Sequence, residues 1–240
     1  KSNEVIIPFQ FDDAQDFEKG RSVVELDGAL GIIDNTGHFI LPPKFEDFGG
    51  YHHGIIFAYQ NGQYRYFDWE GNFLFNRTFD EAFSFSNGIA KVVTGDTIGF
   101  INTDGEFIFY QTGAQDIRMF DDNLFIVALR DSMTILNSKG EQVLPFYVDR
   151  IGNVVENRAI IEKDDLYGYI DGSGNVVVPI QLRTFQNYFQ FAQAKNGHFR
   201  FMRDGNFGLK DTLGKIVFPA IFQGIGNFNL LTPVSKGRGW

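Results

Sequence analysis

Two adjacent histidines, His52 and His53, and a series of paired acids are the side chains of this sequence best equipped for chemistry. The acid pairs are Asp12-Asp13, Glu46-Asp47, Asp80-Glu81, Asp121-Asp122 and Asp164-Asp165. Paired carboxylates serve glycoside hydrolysis or calcium binding, and histidines serve metal binding and proton transfer. Neither pattern commits the chain to such work. Neighbouring side chains on a strand point to opposite faces, so His52 and His53 would not chelate one metal well. His38 and His198 have no histidine near them in sequence. The first three acid pairs recur at one spacing, so no pair stands out as an acid set against a base. A recurring acid either focuses potential on a cationic partner or is solvated turn charge, and the second reading is favoured. There is no Gly-x-Ser-x-Gly elbow, no His-Glu-x-x-His and no phosphate-binding glycine loop. Without cysteine, thiolate chemistry and disulfides are excluded. The expectation is a protein with no cofactor, no metal and no catalytic site.

The net charge is −9 and the pI is near 4.9, which argues against a nucleic-acid partner, whose phosphates need a basic face. No apolar run approaches the length of a membrane span. The start at Lys1 without methionine, followed by polar residues, suits an exported protein from which a signal peptide has been removed. Aromatic content is weighted to 28 Phe against 9 Tyr and 2 Trp, a composition that fits half-buried strands.

The elements that must carry these residues are repeated. A pattern of two apolar residues, Asp or Asn, two variable residues and Gly runs through Asp34 to Gly37, Asp68 to Gly71, Asn102 to Gly105, Asn137 to Gly140, Asp171 to Gly174 and Asp211 to Gly214. Its glycines are 34, 34, 35, 34 and 40 residues apart. The Asx side chain starts a turn and the glycine supplies a positive φ, so each copy reads as a hairpin joining a strand B to a strand C. Strand C often reaches a proline, as at Pro42, Pro145, Pro179 and Pro219, which the sequence suggests as its end. A second anchor keeps the same period. It is an aromatic residue followed by Gly or Asn and then small and β-branched residues, as in Phe85 to Val92, and it opens strand A. Turn dipeptides such as Asp27-Gly28 and Asn61-Gly62 join A to B. The residues between C and the next A have room for a short fourth strand.

Laid out this way, the unit resembles the bacterial WG-containing β-repeat, also called the KWG repeat. Tyr167-Gly168-Tyr169-Ile170-Asp171 with Gly174 and Pro179 carries one half of the likeness, and Phe79 to Ala82 with Phe85 to Gly88 the other. The family tryptophan slot is held by Leu30, Tyr64, Ile98, Met133, Tyr167 and Phe207, with Trp240 after Gly239 as a true copy. The glycine after that slot becomes Arg65 and Thr134 in two repeats. The resemblance implies a repeat architecture and no general catalytic motif.

The chain is therefore read as one all-β repeat domain over residues 1–240, with about seven units of 34–35 residues. A seven-bladed β-propeller with short blades is favoured over an open or curved β-solenoid. Val5 to Pro8 reads as an orphan strand C, and Leu230 to Val234 with Gly239-Trp240 as orphan strands A and B, so the two ends can complete a seventh unit. Function is expected in the copies that break the pattern. Those are Tyr51, His52 and His53, Arg65 in a glycine slot, Arg118, and a hairpin read as lengthened that holds His198, Phe199, Arg200, Phe201 and Arg203. The expected role is a non-enzymatic binding or scaffold module for a protein, peptide or glycan. The alternative is a polysaccharide hydrolase or lyase on a propeller.

Overall fold

The structure, a computed structural model, describes residues 5–49, 54–121, 123–155, 157–183, 198–211 and 214–223. Every described element is a β-strand, and the strands form six separate antiparallel sheets, one per repeat. Repeat 1 holds β1 (Asp13–Ala14), β2 (Arg21–Leu26), β3 (Ala29–Asp34) and β4 (Phe39–Phe45). Repeat 2 holds β5 (Asp47–Phe48), β6 (Ile55–Gln60) and β7 (Gln63–Asp68). Repeat 3 holds β8 (Glu81–Ala82), β9 (Ile89–Thr94), β10 (Thr97–Asn102) and β11 (Phe107–Thr112). Repeat 4 holds β12 (Asp116–Asp121), β13 (Leu124–Ala128) and β14 (Met133–Asn137). Repeat 5 holds β15 (Arg150–Ile151), β16 (Arg158–Lys163), β17 (Leu166–Asp171) and β18 (Val176–Arg183). Repeat 6 holds β19 (His198–Arg203), β20 (Asn206–Asp211) and β21 (Ile216–Phe222). Within each sheet, strands follow one another in chain order, the pattern of a propeller blade. The short fourth strand anticipated before strand A is present as β1, β5, β8 and β15.

Tight turns explain how four strands fit a short repeat. Asp27-Gly28, Asn61-Gly62 and Asp204-Gly205 have positive φ at both central residues, the arrangement that matches strand twist in two-residue hairpins. A second such turn, Lys19-Gly20 or Asn87-Gly88, precedes strand A.

Pro42, Pro179 and Pro219 do not end strand C, whereas Pro145 falls in a bend where repeat 4 interrupts it. In repeat 1, Ile32 pairs with Leu41 and Leu30 with Phe45, so Pro42, Pro43 and Lys44 face Gly31 alone. Pro179 occupies the corresponding bulge opposite Gly168, and Pro219 the one opposite Gly208. A bulged residue needs no ladder partner, so proline is tolerated there inside the strand.

The bulge also explains the glycine. A Cβ on Gly31 would lie 2.9 Å from the Leu41 carbonyl oxygen. On Gly168 it would lie 2.6 Å from that of Val178, and on Gly208 2.7 Å from that of Phe218. In repeat 3, Gly99 pairs in register with Tyr110, and a Cβ would meet the Phe107 ring at 2.6 Å.

No sheet buries its faces alone. The apolar cores lie between consecutive repeats: Ile32, Leu41, Ile56 and Phe67 join repeats 1 and 2, and Tyr66, Phe79, Phe85 and Val92 join repeats 2 and 3. Ile135, Leu144, Ile151 and Ile161 join repeats 4 and 5, and Tyr169, Val178 and Phe201 join repeats 5 and 6. The chain divides into two compact halves, residues 1–113 and 114–240. The Asx-turn glycines have a second duty in this stacking. Gly71 packs against Ile40 of the preceding repeat, Gly105 against Phe75 and Gly174 against Val143.

Val5 to Pro8 does not join a described ladder, yet Ile7 packs against Gly37 as Ile40 packs against Gly71. It therefore takes the place of a preceding strand C, and Val5 and Ile6 are exposed. The expected partner strands at Leu230 to Val234 and Gly239-Trp240 lie outside the described residues.

Candidate functional site

The recurring acids are explained by a contact that spans 15 residues. Asp12 accepts a hydrogen bond from the Asp27 N–H at 2.7 Å, Glu46 from that of Asn61 at 2.9 Å, Asp80 from that of Gly95 at 2.6 Å and Asp149 from that of Asp164 at 2.7 Å. Each caps the A–B turn of its own sheet. The Asx turns are equally self-contained. Asp34 Oδ1 accepts from the Thr36 and His38 N–H groups at 2.9 and 3.0 Å, and Asp171 Oδ1 from those of Ser173 and Asn175, both at 2.9 Å. The Thr36 hydroxyl bond is the largest influence on Asp34 and holds its carboxyl below the usual 3.8. At Asp68 and Asp171 partial desolvation is the largest single influence and acts upward. The hydrogen bonds led by Asn72 and Asn175 together outweigh it, so both carboxyls also lie below 3.8. These carboxylates are turn chemistry, and among the described residues no three His, Asp or Glu side chains gather to hold a metal.

A cleft between repeats 1 and 2 is the candidate site. It has a volume of about 330 Å³ and draws on Gln15, Asp16, Glu18 and Arg21 from repeat 1, and Asp68 and Trp69 from repeat 2. Ile40, Leu41, Phe48 and Ile56 form apolar parts of its wall. Trp69 stands in the Asx turn, where the other repeats carry Asn35, Thr103, Ser138, Gly172 and Thr212. It is half-buried, with the Arg21 guanidinium 5.2 Å from its ring centre. Arg21 Nη1 donates to the Gly20 carbonyl at 3.2 Å, while its Nε is buried with no hydrogen-bond partner. The Ser22 hydroxyl donates to the Gln15 carbonyl at 2.6 Å and ties the cleft wall to strand A. Among the described residues the cleft thus combines an aromatic face, an unmet donor and carboxylate acceptors.

The residues expected from sequence fare unevenly. Tyr51, His52 and His53 lie outside the described residues, as does the side chain of Phe199. Arg65 is exposed on β7, its guanidinium 5.1 Å from the Phe73 ring centre. Arg118 is a brace between sheets of the second half, donating to the Ile151 carbonyl at 3.0 Å and to Asn153 Oδ1 at 3.1 Å, and its Nε is 4.0 Å from Asp116. Phe201 is 1% exposed and belongs to the core of repeats 5 and 6, so it is a packing residue and not a contact for a partner. The hairpin that carries it is of ordinary length. His198–Arg203 and Asn206–Asp211 have six residues each around Asp204-Gly205, like the first hairpin, so the extra residues of that repeat precede His198. His198 and Arg200 are half-buried on β19, and Arg203 is exposed beside the turn. Lys210 is buried where the other repeats carry Ile33, Phe67, Ile101, Leu136 and Ile170. Burial, with a smaller contribution from the Arg203 charge, pulls its ammonium below the usual 10.5. Sequence reasoning missed Trp69 and Lys210, although comparing the repeats position by position marks both as departures.

In comparisons with known proteins, no curated protein sequence matches the chain. Among solved structures, Hsv2 of Kluyveromyces lactis is 10% identical with a TM-score of 0.40, over 80% of this chain and 71% of that one. A Bacteroides caccae protein of unknown function is 17% identical with a TM-score of 0.33, over 80% and 89%. The AfRom2 CNH domain is 8% identical with a TM-score of 0.37, over 87% and 83%. Likenesses this low carry no weight for function. The sequence profile described as WG containing repeat matches residues 1–28, 31–64, 64–97, 134–167, 167–188 and 207–229, in phase with the slots that place Gly31, Gly168 and Gly208 under their bulges. With most of its length matched, the chain belongs to the WG containing repeat family.

Proposed function

We propose that the chain is a non-catalytic binding module that takes a peptide or glycan in the cleft between repeats 1 and 2. The observation that carries this reading is Trp69. It puts a large aromatic ring in a turn position that is small or polar in every other repeat, beside a cleft of about 330 Å³. Pockets of this size, with an aromatic wall and a few polar groups, suit small ligands or single residues of a polymer. Donors at Arg21 and Gln15 and acceptors at Asp16 and Glu18 suit a ligand that both donates and accepts, such as a hydroxyl-rich or amide-rich group. The non-catalytic part is supported by the recurring carboxylates, which are engaged in holding their own turns.

Trp69 also provides the readout. In a Trp240→Phe background it is the single tryptophan. Titration with neutral oligosaccharides and with short mixed-sequence peptides is expected to shift its emission saturably for one class, and Trp69→Ala is expected to abolish that binding in calorimetry. No saturable response from either class would sink the reading. Chain shortening of an oligosaccharide on incubation would replace it with the hydrolase alternative.

A further inference from the structure

On a protein with net charge −9, one cavity has no carboxylate in its lining. It has a volume of about 260 Å³, lies on repeat 2, and is lined by Arg65, Phe73, Phe75, Asn76, Arg77 and Thr78. Arg65 comes from β7 and the rest from the segment that follows the Asx turn. That segment is an uninterrupted strand in repeats 1, 3, 5 and 6, but here it bends at residues 74–76 and meets β7 through the bridges Phe67–Phe73 and Tyr64–Phe79 and a Leu74 N–H bond to the Tyr66 carbonyl at 3.2 Å. The bend faces Arg65, which stands in the slot held by Gly31, Gly99, Gly168 and Gly208 elsewhere.

Both guanidiniums lie over aromatic rings. Arg65 is 5.1 Å from the Phe73 ring centre and Arg77 5.2 Å from that of Phe107, and Arg77 Nη1 reaches the Gly105 carbonyl at 3.4 Å. A ring contact helps to fix a guanidinium without neutralising its charge. Among the described residues neither arginine pairs with a carboxylate, whereas Arg118 and Arg150 each do. Asn76 and Thr78 add an amide and a hydroxyl, and neither donates or accepts elsewhere among the described residues. A guanidinium presents a planar fork that matches two oxygens of a carboxylate, sulfate or phosphate.

We propose that this cavity is an oxyanion site in which Arg65 and Arg77 grip one anionic group, with Asn76 and Thr78 as neutral donors. The site is separate from the Trp69 cleft, and it stands whether or not that cleft binds a ligand.

The test is calorimetry of the whole chain at constant ionic strength, with chloride as background and sulfate, phosphate, acetate and glucuronate as probes. Saturable one-to-one binding of at least one probe is expected. Arg65→Gln and Arg77→Gln should each weaken it about tenfold or more, and Trp69→Ala should leave it unchanged. Both arginines are exposed, so the variants should fold, and an unchanged circular dichroism spectrum and melting temperature check this. Arg65→Lys keeps the charge without the fork and should lose most of the affinity. Failure of all four probes to bind, or wild-type affinity in the double Arg65→Gln, Arg77→Gln variant or in Arg65→Lys, overturns the site. Among the probes, preference for acetate and glucuronate identifies a carboxylate ligand, and preference for sulfate and phosphate a tetrahedral one.

Discussion

Repeats 2 and 5 share one sequence pattern, and their difference at the slot of Arg65 and Gly168 goes with a reorganised strand. In repeat 5, Gly168 lets the Pro179 bulge lie flat on β17, and β18 runs unbroken from Val176 to Arg183. In repeat 2, Arg65 has a Cβ where a bulge carbonyl would otherwise sit, and the C segment bends away at 74–76. Repeat 4 behaves like repeat 2. Thr134 stands in the glycine slot, bends fall at 144–146, and only Met133–Val148 and Leu136–Gln142 bridge. All four glycine-bearing repeats keep strand C, and both non-glycine repeats interrupt it. The family's glycine is thus required by a close backbone approach and not by a positive φ, and losing it opens surface that a uniform blade would not have.

The largest effect is expected from forcing repeat 5 to behave like repeat 4. Gly168→Thr sets a Cβ 2.6 Å from the Val178 carbonyl oxygen, so roughly 2–4 kcal/mol should be lost in urea unfolding, with faster amide exchange along β18. An unchanged midpoint would break the link between the glycine and the bulge.

The packing of repeat 2 on repeat 3 offers the next test. The Tyr66 hydroxyl donates to the Phe83 carbonyl at 2.6 Å across that junction, and burial pushes its ionisation well above the usual 10.0. Tyr66→Phe leaves that carbonyl unmet and should cost about 1–2 kcal/mol, read from the same unfolding curves. In repeat 4 the sign reverses. Thr134 Oγ1 is buried without a partner, so Thr134→Val should stabilise by about 1 kcal/mol and raise the melting temperature.

The smallest effect is on pH. The carboxyls of Asp34, Asp68 and Asp171 are depressed in the folded state, so their contribution is complete above the unfolded value of 3.8 and is lost as pH falls through the folded values. Melting temperature should be flat from neutral pH down to about pH 5 and fall towards about pH 3. Replacing all three by Asn, the residue already used at Asn102 and Asn137, should shallow that fall. An identical slope in the triple variant would assign acid sensitivity to other groups.

Much of the fold was legible because its signals are local. An Asx residue bonds the backbone two and four residues ahead, as Asp34 does to Thr36 and His38, so the turn is written in a few adjacent positions. Asn61-Gly62 and Asp204-Gly205 announce their hairpins in the same way. The prolines misled, because a strand end and a bulge within a strand both remove the need for an N–H, and sequence does not separate them. The acid pairs were half read. Their recurrence was visible, but the capping of an N–H 15 residues away needs the sheet that brings the two together. Phe201 was singled out from an alternating hairpin, and only packing against Tyr167 and Tyr169 shows which face of that hairpin is core.

By itself the sequence determined the all-β class, the repeat, its phase and its turns, since period and turn chemistry act over a few residues. Which departures matter was decided by tertiary structure alone. Trp69 became part of a cleft because its turn stacks on the strand of the preceding repeat. Arg65 and Arg77, 12 residues apart in the chain, came to line one cavity where the C segment bends at residues 74–76. Both outcomes depend on how closely one backbone approaches another, a distance that residue types imply only once the partner strand is in place.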